Sequence, residues 1–135
     1  MTLDTETKIP PAMPYERLGG EATIAAIVNR FYDLMAGDPA YAGLRAMHAE
    51  DLAPMRKSLA GFLTGWSGGP RDWFDANPGR CMMSIHRPFP IGAETAGQWV
   101  NAMRRAIDEV VGPRDPAIAK AMGDVLQNMA SGMAR

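Results

Sequence analysis

Apolar residues recur at helical spacing in four stretches of this chain, and the connections between those stretches are unequal. After Gly19-Gly20, which frees the backbone for a turn, Ile24, Ile27, Val28, Phe31, Leu34 and Met35 mark one face of a helix that ends at Gly37. Tyr32 lies beside that stripe, so its hydroxyl needs either a buried partner or an edge position. Asp38-Pro39 to Met47 reads as a corner with a short helical turn, followed by His48. Asp51 then caps a second helix with Leu52, Met55, Leu59, Phe62, Leu63 and Trp66 on one face, stopped by Gly65 and Ser67-Gly-Gly-Pro70. A third stripe (Ala96, Trp99, Val100, Met103, Ile107, Val110) predicts a helix from about Ala93 to Val111, closed by Gly112-Pro113. Asp115-Pro116 opens a fourth, a cap followed by proline at the first helical position, with Ile118, Met122, Val125, Leu126 and Met129 inward. Four main helices and no strand predict an all-α domain.

The stretch from Ser67 to Gly92 breaks this rhythm. Arg71 to Ala76 and Arg80 to Ile85 can each form a helical turn, but Pro78, Pro88 and Pro90 interrupt the rest. A connection this long inside a small domain carries function or is disordered. Trp73, Phe74, Met82, Met83, Ile85, Phe89 and Ile91 make it too apolar for a solvated linker, so it lies against something apolar. A large flat ligand is an economical answer.

Composition narrows the classes. The chain has 135 residues, 47% of them hydrophobic, which is enough for one domain with a core. A formal net charge of −1 without charged blocks argues against nucleic acid or an anionic membrane as partner. The polar, proline-bearing residues 1–16 read as a mobile arm without an export signal, leaving residues 17–135 as the single domain. One cysteine forms no internal disulfide, and no apolar run approaches a membrane span; a cytoplasmic protein is the expectation.

His86 is the residue through which this chain most plainly invites chemistry. Pro88 forces Arg87 out of the helical region, ending any short helix there and leaving carbonyls free. One such carbonyl can take the proton of one ring nitrogen and leave the other to bind metal. The neighbours are apolar or sulfur-bearing, which suits a porphyrin edge better than a hydrolytic zinc. With two histidines, one cysteine and no metal-ligand spacing, a structural zinc site lacks ligands, whereas one histidine in an apolar setting matches the proximal ligand of a non-covalently held haem.

Five pieces then share a pattern: Tyr15-Glu-Arg-Leu-Gly-Gly20, Arg30-Phe-Tyr32, Phe62-Leu63 leading to Trp66-Ser-Gly-Gly-Pro70, His86-Arg-Pro-Phe-Pro-Ile91, and Trp99 thirteen residues beyond His86. In this order, over nearly the whole chain, they resemble the truncated haemoglobins of the second group. The resemblance implies a two-over-two helical sandwich around haem b, with His86 as the proximal iron ligand. It implies Tyr32, His48 and Trp99 as hydrogen-bonding groups over the opposite haem face, each supplying an N–H or O–H to the ligand. Met55, Leu59, Phe62, Phe89 and Met103 would line the cofactor, and Arg80 is a candidate for the propionates. On helical pattern alone, Tyr32 reads as a core-edge tyrosine, Trp99 as a packing residue and His48 as an exposed corner residue.

Two functions use the same residues. One is reversible binding of a diatomic gas, oxygen foremost, with nitric oxide and carbon monoxide as further ligands. The other is a haem redox enzyme, detoxifying nitric oxide or acting like a peroxidase; lacking a flavin or nicotinamide motif, it would need an external reductase. A haem-free helical interaction module would leave the apolar 67–92 segment without a reason.

Overall fold

The computed structural model describes residues 15–79 and 91–133. Among them are seven α-helices, one short 3-10 turn and no strand. A four-residue helix, α1 (Tyr15–Leu18), leads through Gly19 into α2 (Gly20–Gly37). Gly19 holds φ at +117°, a left-handed conformation open to glycine, and this turns the chain between the two helices. The 3-10 turn Pro39–Tyr41 and α3 (Ala42–Ala46) form the expected corner. Next come α4 (Ala53–Trp66), α5 (Asp72–Ala76), α6 (Ala93–Val110) and α7 (Pro116–Met133).

The four long helices stack as two pairs. α2 packs on both α4 and α6, α6 packs on α7, and α5 lies against α4. Every residue of the α2 stripe is buried, and so is Tyr32. Phe31, Ile24, Ile27, Met103, Ile107, Ile118 and Met122 are among the largest side chains fully removed from water, so the core sits where α6 meets α2 and α7. Burial of each such side chain contributes roughly 1.5–3 kcal/mol before the cost of ordering it.

The cap of α7 follows its expected chemistry: Asp115 Oδ1 accepts from the Ile118 backbone N–H at 3.2 Å, with Pro116 at the first helical position. At α4 the expected cap is displaced by one residue: Asp51 Oδ1 accepts from Ala53 N–H at 3.0 Å, but Leu52 holds the N-cap position and no side chain caps it. The stop of α4 differs from the expectation. Gly65 is a buried helical residue rather than a breaker, and the chain turns at Gly68, whose φ is +104°. Gly68 N–H donates to Gly65 O and Gly69 N–H to Thr64 O, at 3.1 and 2.8 Å, which is the paired bonding of a Schellman end. Gly65 is glycine for a packing reason: a Cβ there would stand 2.5 Å from the Phe74 ring.

Candidate functional site

Three residues singled out from the sequence converge on one side of α2. Tyr32 and His48 rings meet edge-on at 6.1 Å, Tyr32 and Phe31 at 4.8 Å, and Phe31 and Trp99 at 5.7 Å. Phe31 therefore bridges the tyrosine to the tryptophan of α6, a position its place on the α2 stripe did not reveal. Leu59, Phe62 and Met103 are buried in the hydrophobic cluster that Trp99 packs against. Met55 does not join them: it is 40% exposed. The next residue, Arg56, reaches across the surface to α2, with its guanidinium carbon 5.7 Å from the centre of the Tyr32 ring and its nitrogens on Asn29 and Asp33. A helical stripe cannot separate these two, because neighbours 100° apart at a helix start share an edge.

The phenol of Tyr32 is buried at 4% exposure, and among the described residues no group pairs with its hydroxyl. Burial pushes its pKa up to about 12, a rise that the nearby Arg56 charge only partly offsets. The group is thus a neutral O–H donor. The Trp99 indole can only donate.

His48 is placed differently from the expectation of a third donor. Its Nδ1 stands 2.9 Å from the backbone carbonyl of Leu44. A carbonyl oxygen only accepts, so Nδ1 carries the ring proton of the neutral imidazole, and Nε2 is left with a lone pair. Neutral His48 spends its N–H on Leu44 and has none for a ligand.

The apolar connection finds part of its cover within the protein. Trp73 packs edge-on to Phe62 at 5.4 Å, Phe74 lies 5.5 Å from it, and the Trp73 indole donates to Ser58 Oγ at 3.0 Å. Trp73 and Phe74 thus need no flat ligand to explain them. His86, Phe89 and Arg80 lie outside the described residues, as do Met82, Met83 and Ile85. No cluster of three metal-ligating side chains occurs among the described residues, and none of the described helices is long and apolar enough to cross a membrane.

A buried aromatic wall with an indole donor and a hydroxyl donor that has no partner among the described residues fits a site whose ligand supplies the acceptor. Comparison with known proteins agrees. Residues 13–134 match the family model described as bacterial-like globin. The group 2 truncated haemoglobin YjbI of Bacillus subtilis (strain 168) is 32% identical over 97 residues, which cover 72% of this chain and 70% of that protein. Among solved structures, the cold-adapted truncated haemoglobin from the Antarctic marine bacterium Pseudoalteromonas haloplanktis TAC125 shares 35% identity and a TM-score of 0.86, covering 91% of this chain and 98% of its own. The group II 2-on-2 haemoglobin from the plant pathogen Agrobacterium tumefaciens gives 29% identity and a TM-score of 0.86, covering 98% of both chains.

Proposed function

Since this chain belongs to the bacterial-like globin family, among the group II truncated haemoglobins, and is therefore a haem-binding truncated globin, we propose that it holds haem b through His86 and binds oxygen or another diatomic gas reversibly beside Tyr32, Trp99 and His48. When bound, haem supplies an iron position that takes such a gas and leaves its outer atom partly negative. The observation that carries the reading is the Tyr32 hydroxyl: buried, kept protonated and without a partner among the described residues. A polar atom in that state raises the free energy of the empty protein and lowers it when an acceptor arrives.

Tyr32 donates from α2 and Trp99 from α6, so two rigid elements hold the donors in place before the ligand enters. Phe31 between them excludes water and fixes both rings. Leu59, Phe62 and Met103, buried around the same cluster, give the apolar surface a porphyrin face needs, and Phe89 is assigned to the same lining from the sequence alone. Arg80 and Arg87 are the candidate cations in sequence to meet the propionates. His86 takes the proximal role because it is the one other histidine, in an apolar setting outside this cluster's helices.

Adding hemin to the purified chain tests the assignment. The expected result is a Soret band at one haem per chain that survives gel filtration, lost or shifted in ligation in His86→Ala. A chain that stays colourless, or keeps the same axial nitrogen signature without His86, overturns it.

A further inference from the structure

The corner that carries His48 is fastened to α6, the helix that carries Trp99, by polar contacts the ligand chemistry does not use. The Leu44 backbone N–H donates to Gln98 Oε1 at 2.9 Å. The Tyr41 hydroxyl donates to Asn101 Oδ1. Arg105 Nη1 donates to both that hydroxyl and Asp38 Oδ2, each at 3.1 Å. Gln98, Asn101 and Arg105 follow one another at spacings of three and four, so they form one polar ridge of α6 facing the corner.

Leu44 is where this fastening meets the site. Its N–H is held by Gln98, and its carbonyl takes the Nδ1 proton of His48. On the far side of His48, Arg45 Nη1 and Nη2 donate to the carbonyls of Ala49 and Glu50, at 3.0 Å each, so the chain is pinned before and after the imidazole. An Nδ1–H imidazole bonded to a carbonyl is also the form that lets Nε2 ligate a metal.

We propose that Gln98 is a positioning residue: through Leu44 it holds His48 in the Nδ1–H form, its Nε2 unprotonated, and keeps it from reaching the iron. The iron half of this statement rests on the haem reading above; the tautomer half does not.

The experiment uses full-length protein with nitrogen-15-labelled histidine, in mildly alkaline buffer where imidazole is neutral. Spectra are recorded haem-free and as the diamagnetic carbon monoxide complex, with His48→Ala identifying the signal. Wild type is expected to show Nδ1 protonated and Nε2 bare at position 48. Gln98→Met, of similar shape but without the acceptor oxygen, is expected to lower the ratio of that form to the other measurably, with about fivefold, the worth of the whole Nδ1–carbonyl bond, as the ceiling. Gln98→Glu, which keeps an oxygen acceptor, is expected to restore it. In the ferric haem-loaded protein, Gln98→Met is expected to raise a low-spin six-coordinate fraction, because the freed corner lets the imidazole move and the iron itself selects the form with Nε2 bare, and adding His48→Ala is expected to abolish it. A wild-type signal with Nε2 protonated, or a tautomer ratio indifferent to Gln98→Met, overturns the positioning role. A low-spin spectrum already present in wild type and lost in His48→Ala overturns the restraint. Failure to take up haem sinks the functional reading alone, because the haem-free spectra still decide the tautomer.

Discussion

Replacing Tyr32 by phenylalanine should make the haem-free protein more stable and the loaded protein quicker to release oxygen. The substitution keeps the ring that packs on Phe31 and His48 and removes one hydroxyl from a site 4% exposed to solvent. A buried hydroxyl with no partner costs about 1–3 kcal/mol. Unfolding entropy of about 2.1 cal/mol/K per residue makes each kcal/mol worth roughly 3–4 °C for a chain of 135 residues. The lower part of that range therefore predicts a rise of roughly 3–7 °C in the melting temperature of the haem-free protein, followed by circular dichroism. With oxygen bound, the same hydroxyl donates to a partly charged atom, a bond worth about 1.5–3 kcal/mol. Its loss should speed oxygen dissociation at least about tenfold, read by stopped-flow displacement with carbon monoxide. A melting temperature that falls, together with an unchanged off-rate, would mean that the hydroxyl is paired inside the protein and faces no ligand.

Trp99→Phe, which removes the other donor, should also raise the oxygen off-rate about tenfold, whereas His48→Ala should change it less than about threefold, by the same stopped-flow assay. Stability should be lost at alkaline pH through Tyr32. Below about pH 10 the phenol is protonated folded and unfolded; above it the unfolded chain ionises first, until the folded phenol follows at about 12. The loss, about 2–3 kcal/mol, should appear as a pH-dependent gap between wild type and Tyr32→Phe in urea unfolding. Gly65→Ala should destabilise by about 1–2 kcal/mol in the same assay, because the added methyl meets the Phe74 ring at 2.5 Å and that strain exceeds the gain in helix propensity.

The long helices were legible because each had a continuous stripe and a recognisable end. Ile24 to Met35 predicted α2 face for face, and Asp115-Pro116 placed the start of α7 to the residue. Punctuation was read less well. Gly65 and Gly68 look alike in sequence, yet one is glycine because an aromatic ring lies over it and the other because φ is positive. Only the partner across the fold distinguishes the two. The start of α4 is less sharply patterned: its first turn has no preceding turn to anchor the phase, so Met55 of the apolar stripe is 40% exposed while Arg56 beside it reaches the Tyr32 ring.

His48 shows where side-chain inventory stops being enough. Counted by type, Tyr32, Trp99 and His48 are three possible donors. What the imidazole offers depends on a main-chain oxygen four residues earlier, which has no signature in the sequence. With its proton committed to Leu44, neutral His48 presents a lone pair, and a lone pair repels the partly negative end of a bound gas rather than holding it. On the proposed function, retention would then rest on Tyr32 and Trp99, whose helices pack directly on each other. The difference expected between Tyr32→Phe and His48→Ala thus measures the tautomer through kinetics, independently of any spectrum of the ring itself.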